Sequence, residues 1–313
     1  MLFIGGLVLS LLLLTGFWTT RPPALAQATP LAEPIAPTTA VTLTLPPTFT
    51  ETPLPPTATL QPSATLRPSL TPTPTATPPC SAPGTVQQIN IESDLLNYAM
   101  DMTLYLPPCY ATHDLTRRYP VLYLVHGLEQ TDQFWVELGL PDVLDELILS
   151  GEVPPFIVAM PREYRDDRFD RAMVSDIIPY VDRNYRTLAG RAYRAVGGLS
   201  RGGAFTARIA FQHPDLFTAA GFHSPAIFFA DEQRIGGWLN TVGADEWPDI
   251  WIDIGDLDGL IVSAGWLHTT LERRTVPHEY NIFPGAHNVT YWRFHLEDYL
   301  RWYASHWPEL APR

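Results

Sequence analysis

The chain contains no lysine; all 20 of its basic residues are arginine. Schiff-base catalysis, pyridoxal chemistry and the Walker-A phosphate loop all require an ε-amine and are thereby excluded. Cysteine is nearly absent, with 2 in 313 residues, too few for an iron–sulfur cluster or a four-thiolate zinc site. Positive charge is scarce as well: 33 acidic residues against 20 arginines give a formal net charge of −13. Before residue 80, Arg21 and Arg67 cancel Glu33 and Glu51, so the whole excess falls on the remainder. Nucleic acid and anionic bilayers select basic surfaces, and this balance argues against either as the main partner.

What is present divides the chain into three. Leu2 to Trp18 is an apolar run interrupted by Ser10, Thr15 and glycines, followed by Arg21, two prolines and Ala24-Leu25-Ala26. Residues 1–28 therefore read as an export leader with a small-x-small cleavage pattern, or as an uncleaved anchor, since the run nearly spans a bilayer. Residues 29–79 are mostly Pro and Thr, as in Thr71-Pro72-Thr73-Pro74-Thr75. Proline fixes φ and removes donors, and large apolar groups are few. The segment reads as a disordered stalk of roughly 3 Å per residue, tethering the rest to a membrane or cell wall. Residues 80–313 are then one domain, able to bury about 70% of its unfolded surface. Cys80 and Cys109 lie at its start without C-x-x-C spacing. In an exported chain they are expected to form a structural disulfide, with no metal site.

Within the domain, 86–92 and 100–106 read as an antiparallel hairpin with Asn97 near its turn. Continuous apolar runs follow at 121–125, 155–160, 192–199, 250–254 and 280–283, the mark of parallel strands covered on both faces. Helical spacing occupies 141–149, 174–185, 204–212, 266–273 and 291–303. The expected fold is an α/β sandwich: a mostly parallel sheet, helices on both faces and an N-terminal hairpin. In such sheets the chemistry gathers at the carboxyl ends of the strands.

At one such end stands Gly198-Leu199-Ser200-Arg201-Gly202, a G-x-S-x-G pattern between a buried strand and a helix. A sharp turn there exposes the Ser200 hydroxyl as a nucleophile. A serine needs a base, and the base an orienting acid, in the chain order Ser, acid, His. His223 lies too near a strand interior, His268 falls in a helix, His278 begins a strand, and His295 and His306 lie in or past the last helix. His287, in the loop Phe283-Pro284-Gly285-Ala286-His287-Asn288 after the last strand, is the expected base. The acid lies in Gly255-Asp256-Leu257-Asp258-Gly259: Asp258 is preferred, and Asp256 stays open. Asp253, inside the strand, is expected to be fixed by the pleat, pointing into a helix layer or capping it. The oxyanion would be met by the Arg201 N–H and, from His126-Gly127-Leu128, the Leu128 N–H, with His126 a packing imidazole. Trp135 and Trp292 are expected near the cleft rim, together forming a platform for an aromatic acyl group or sugar. Arg162, in the charged loop 161–172, is a candidate substrate contact. The sequon Asn288-Val289-Thr290 directly follows the base, where a glycan would obstruct the cleft.

Residues 85–305 resemble the esterase D-type α/β-hydrolases, which include feruloyl and acetylxylan esterases, S-formylglutathione hydrolase and the antigen 85 mycolyltransferases. The phrases that carry the resemblance are the run from Tyr119 to Gly127, Val181-Asp182-Arg183-Asn184-Tyr185-Arg186-Thr187, the Ser200 motif, His213-Pro214-Asp215-Leu216-Phe217 and His223-Ser224-Pro225-Ala226. The resemblance implies the triad Ser200, Asp258 and His287, placing the acid three residues after Gly255. It implies an exported serine carboxylesterase, without cofactor, acting on acyl esters such as those of polysaccharides. Two alternatives are acyl transfer to a sugar hydroxyl and a non-catalytic surface binding protein.

Overall fold

The computed structural model describes residues 80–112, 114–243 and 246–308; the leader and the stalk lie outside them. Two strands, β1 (Thr85–Ser93) and β2 (Tyr98–Leu106), pair antiparallel through a turn in which Asn97 adopts φ 64°. Next come β3 (Val121–Val125), β4 (Ile157–Pro161), β5 (Arg194–Leu199) and β6 (Ala219–His223), buried along their entire length. The last two strands are β7 (Asp249–Gly255) and β8 (Glu279–Phe283). They form one sheet in the order β1-β2-β4-β3-β5-β6-β7-β8, in which β1–β2 and β2–β4 are antiparallel and all other pairs parallel.

The helices are α1 (Phe134–Glu137), α2 (Leu140–Leu149), α3 (Phe169–Ala172), α4 (Ile178–Asn184), α5 (Arg201–Gln212), α6 (Phe229–Leu239), α7 (Ile261–Glu272) and α8 (Val289–Ser305). Alternation along β3 shows how they are layered. Val121, Tyr123 and Val125 join one core with side chains of α5 and α7, while Leu122 and Leu124 join a second with α2 and α8. Burying a strand on both faces leaves no place for polar alternation, hence the continuous apolar runs. The chain is an α/β-hydrolase sandwich, as expected.

Four elements had not been delimited from the sequence: β6, α6 and the four-residue helices α1 and α3. β6 is Ala-Ala-Gly-Phe-His, with little β-branched signal, because Gly221 must make room: a Cβ there would overlap the Tyr303 hydroxyl. α6 carries Gly236-Gly237, and its buried face is only Asp231, Ile235 and Leu239. The segment 174–185 also differs. It is not one helix but runs from α3 through a π turn at Met173–Ile177 into α4. Cys80 and Cys109 are joined by a disulfide.

The chain order reverses between β4 and β5, which flank β3 on opposite sides. A crevice opens outside the carboxyl ends of strands at such a point. The segments leaving β3 and β5 there are His126-Gly127-Leu128 and the Ser200 turn.

Candidate functional site

Ser200 links β5 to α5 with φ 54° and ψ −118°, a conformation that costs a non-glycine residue on the order of 1–3 kcal/mol. Its backbone over-determines the turn: the Ser200 N–H donates to the His223 carbonyl at 2.9 Å, and its own carbonyl accepts the Ala226 N–H at 2.9 Å. Close packing explains the flanking glycines. A Cβ on Gly198 would lie 2.5 Å from the Gly202 backbone, and one on Gly202 would overlap the Val125 carbonyl oxygen. The turn thus sits directly against β3, with its hydroxyl beside the Gly127 loop.

The loops after β7 and β8 bring the other groups to Ser200. The Ser200 hydroxyl lies 3.0 Å from His287 Nε2, and His287 Nδ1 lies 2.8 Å from Asp258 Oδ2. With Nδ1–H donating to the carboxylate, Nε2 is left as the acceptor for the serine proton. Asp258 is buried, and its other oxygen accepts the Leu260 N–H at 2.7 Å, which fixes the carboxylate plane. Asp256 does something different: its Oδ1 accepts the Gly285 N–H at 2.9 Å, clamping the loop that carries His287. A Cβ at Gly255 would overlap the Gly285 carbonyl, so the two loops touch backbone to backbone.

On the opposite side, Gln130 Oε1 accepts the Gly127 N–H at 2.8 Å, leaving the Leu128 N–H as the next amide in the loop. His126 is buried; its Nδ1–H donates to the Gly127 carbonyl at 2.7 Å and its Nε2 accepts the Glu163 N–H at 3.1 Å. Burial lowers its pKa to about 4, so the ring is neutral and structural. Glu163 is held by the Arg201 guanidinium at 3.0 Å, while burial pushes its carboxyl above the usual range.

The tryptophans are not where the sequence suggested. Trp135 is 1% exposed, inside the core beneath the sheet, and Trp292 is 4% exposed. Their large apolar surfaces are drawn into the layer between the sheet and α2 and α8, so they form no rim platform. Trp292 nevertheless meets the site from below, its ring 4.9 Å from His287 and edge-on, its indole N–H donating to Ser224 Oγ at 3.2 Å. Arg162 is on the surface, paired with Asp101 at 3.2 Å, its guanidinium 4.7 Å from the Tyr164 ring. The charged loop around it is tied down by further pairs, Arg165–Glu129 and Arg168–Asp166. Asn288 caps α8, accepting the Tyr291 N–H.

One group central to this architecture had no signal beyond an acid within a strand. Asp253 is fully buried, as its direction toward a helix layer implied, and accepts four hydrogen bonds. They come from His223 Nδ1 and Trp251 Nε1 on the strands and from the Tyr291 and Tyr299 hydroxyls on α8. The His223 Nε2 in turn accepts the Tyr303 hydroxyl at 3.0 Å. These four partners and Tyr303, spread from position 223 to 303, leave no local pattern to read.

Comparison with known proteins follows from this geometry. The Esterase family model matches residues 93–303. An endo-1,4-beta-xylanase/feruloyl esterase of Xylanibacter ruminicola is 30% identical over 164 residues, 48% of this chain and 23% of that protein. Endo-1,4-beta-xylanase Y of Acetivibrio thermocellus is 28% identical over 41% of this chain and 13% of its own length. The chain thus spans under a quarter of either relative. Among solved structures, a ferulic acid esterase has 25% identity and TM-score 0.65, covering 72% of this chain and 100% of its own. An S-formylglutathione hydrolase from Staphylococcus aureus shares the fold at TM-score 0.62 and 18% identity, over 72% of this chain and 98% of its own.

Proposed function

The chain belongs to the Esterase family and is a carboxylic ester hydrolase, and from that premise we propose that Ser200, His287 and Asp258 carry out the reaction as a catalytic triad. The observation that supports this reading above all is the hydrogen-bonded series from the Ser200 hydroxyl through His287 to the buried Asp258 carboxylate. Ser200 Oγ attacks the ester carbonyl carbon as its proton passes to His287 Nε2. Asp258 keeps Nδ1 protonated and stabilises the imidazolium. The negative oxygen of the tetrahedral intermediate is met by the N–H groups of Arg201 and Leu128; the first belongs to the opening turn of α5, where amides have no helical acceptor. Collapse expels the alcohol, which takes the proton from His287. Water then attacks the acyl-enzyme with His287 as base, releasing the acid and restoring the serine.

For substrate we propose acyl esters of polysaccharides, feruloyl or acetyl, in keeping with the xylanase/feruloyl esterase relative. The disulfide suits an oxidising compartment. With the apolar leader and the Pro/Thr-rich stalk, it supports a secreted or surface-tethered enzyme. The test is hydrolysis of p-nitrophenyl acetate by the full chain beside Ser200→Ala. The wild type is expected to turn over, and the variant to lose on the order of 10³–10⁶-fold in kcat. Equal rates in the two proteins would end the triad assignment, and a burst followed by a stall would favour transfer to another acceptor over hydrolysis.

A further inference from the structure

The surroundings of Ser200 differ in character on its two sides. Toward α6 and α7, the Ala226 N–H bonds the Ser200 carbonyl and the Ile227 N–H bonds Ser263 Oγ at 2.9 Å. The same neighbourhood exposes Phe229, Val262 and, beside the acid, Leu257. Toward the β1–β2 hairpin the walls are polar. A cavity of about 410 Å³ begins at His126 and Gln130, the residues that hold Gly127, and is bounded by Glu163 and Tyr164. It adjoins a second cavity of about 320 Å³ lined by Gln88, Asn90, Asp101 and Gln133, with Arg162 a wall of both.

Most side chains along this trough are amides, carboxylates and guanidinium groups, planar donors and acceptors that match vicinal hydroxyls. Tyr164 adds an aromatic surface; the Arg162 guanidinium lies 4.7 Å from its ring centroid on one face, so a sugar would meet the other. It is 40% exposed, its hydroxyl is bonded to Asp101, and Tyr98 packs edge-on with ring centroids 5.4 Å apart. A ring so braced loses little conformational freedom when a sugar packs its C–H face against it. The charges disfavour an anionic ligand: Arg162 is matched by Asp101 and Arg165 by Glu129, which leaves no unpaired cation among the described residues of the trough for a phosphate or carboxylate.

We propose that this trough, from Gln130 past Arg162 to Asn90, binds sugar residues of the alcohol half of the substrate, beyond the acylated unit, with Tyr164 as the stacking surface. The inference deepens the proposed polysaccharide esterase and rests on it for the polarity of the site. The enzyme would then distinguish an ester on a glycan chain from the same ester on a small alcohol, through KM more than kcat.

Two measurements separate this proposal from the reaction itself. The first titrates full-length Ser200→Ala with xylohexaose, cellohexaose and mannohexaose by calorimetry, with no chemistry involved. At least one is expected to bind saturably, at least tenfold more weakly once Tyr164→Ala is added, and with affinity retained in Tyr164→Phe. The second compares kcat/KM for an acylated oligosaccharide and for p-nitrophenyl acetate in the wild type, Tyr164→Ala and Gln133→Ala. The ratio should fall at least tenfold in both variants, chiefly through KM. If the wild type hydrolyses p-nitrophenyl acetate but no hexaose binds, or if the ratio is unchanged, the trough is not a glycan site although the esterase stands. Hexaose binding that depends on the Tyr164 ring, in a protein inert toward esters, would keep the trough and overturn the reaction.

Discussion

Beneath the Ser200 turn the Asp253 carboxylate accepts the Nδ1–H of His223 at 2.6 Å, with both side chains fully buried. Each end of this pair reaches the candidate site. The His223 carbonyl holds the Ser200 N–H, and Tyr291, bonded to Asp253, packs where a Cβ on Gly285 would sit 2.5 Å from its ring. Removing the carboxylate would strand four donors, three of them on buried side chains and the fourth on half-buried Trp251. Asp253→Ala is expected to lose about 3–5 kcal/mol of stability, read from urea denaturation. In whatever folds, kcat should fall more than KM rises, because the displaced groups position Ser200 and His287 and do not touch substrate. A variant as stable and active as the wild type would show that the four bonds do not organise the site.

The two acids of the β7 loop divide their tasks, and that division is measurable. Asp258 faces His287 Nδ1, whereas Asp256 holds the Gly285 N–H. Asp258→Asn should cost on the order of 10³–10⁴-fold in kcat with folding intact, since an amide reverses the tautomer that Nε2 needs. Asp256→Ala removes one exposed hydrogen bond, about 1 kcal/mol, and should cost far less activity. Steady-state kinetics on a small ester, with a thermal melt for each variant, checks both; the reverse ranking would make Asp256 the acid.

These particulars show what the sequence made legible. The positions of Ser200 and His287 were readable because each lies just past the end of a strand, fully buried β5 for one and the edge strand β8 for the other, and every strand but β6 showed as a run in the sequence. Asp258 was preferred over Asp256, but the residues alone left both open, since both lie past the end of the same strand. The indoles failed for another reason. Position in the chain placed Trp135 and Trp292 near the site, but burial of an aromatic surface depends on which side of the sheet the next helix packs. The Asp253 hub and the polar trough were invisible because their members come from separate strands and helices that only the sheet order brings together.

Gly202 tests the close approach of the turn to β3. A Cβ there would overlap the Val125 carbonyl and lie 2.7 Å from that of His126, both backbone atoms that cannot swing aside. Gly202→Ala is therefore expected to cost several kcal/mol, beyond the 1–3 kcal/mol of ordinary overpacking. Gly237→Ala is the contrast, because a Cβ at Gly237 in α6 meets nothing within 4 Å. It should gain roughly 0.4–1 kcal/mol through the lower entropy of the unfolded chain. Denaturation midpoints for the two variants should move in opposite directions; movement in the same direction would contradict the packing described for the turn.

Acid should expose the cost of keeping His126 neutral. Its pKa falls from the ordinary 6.5 to about 4, chiefly through burial, with the Gly127 carbonyl and Asp132 opposing that shift and Arg162 and Arg201 adding to it. Between those two values the unfolded chain carries the proton and the folded one does not, so stability falls as the pH is lowered. The loss begins near pH 6.5, reaches a slope of up to about 1.4 kcal/mol per pH unit, and stops growing below pH 4. Carboxylates such as Glu163 titrate nearby, so the informative quantity is a difference between proteins. His126→Asn should carry a roughly constant penalty at neutral pH, from its altered bonds to Gly127 and Glu163, and lack this component of the slope. Urea denaturation of both proteins at half-unit steps from pH 7 to 4 is expected to give converging stabilities as the medium becomes more acidic. Parallel curves would mean that His126 titrates alike in the folded and unfolded chains, which its burial and its two hydrogen bonds to backbone do not allow.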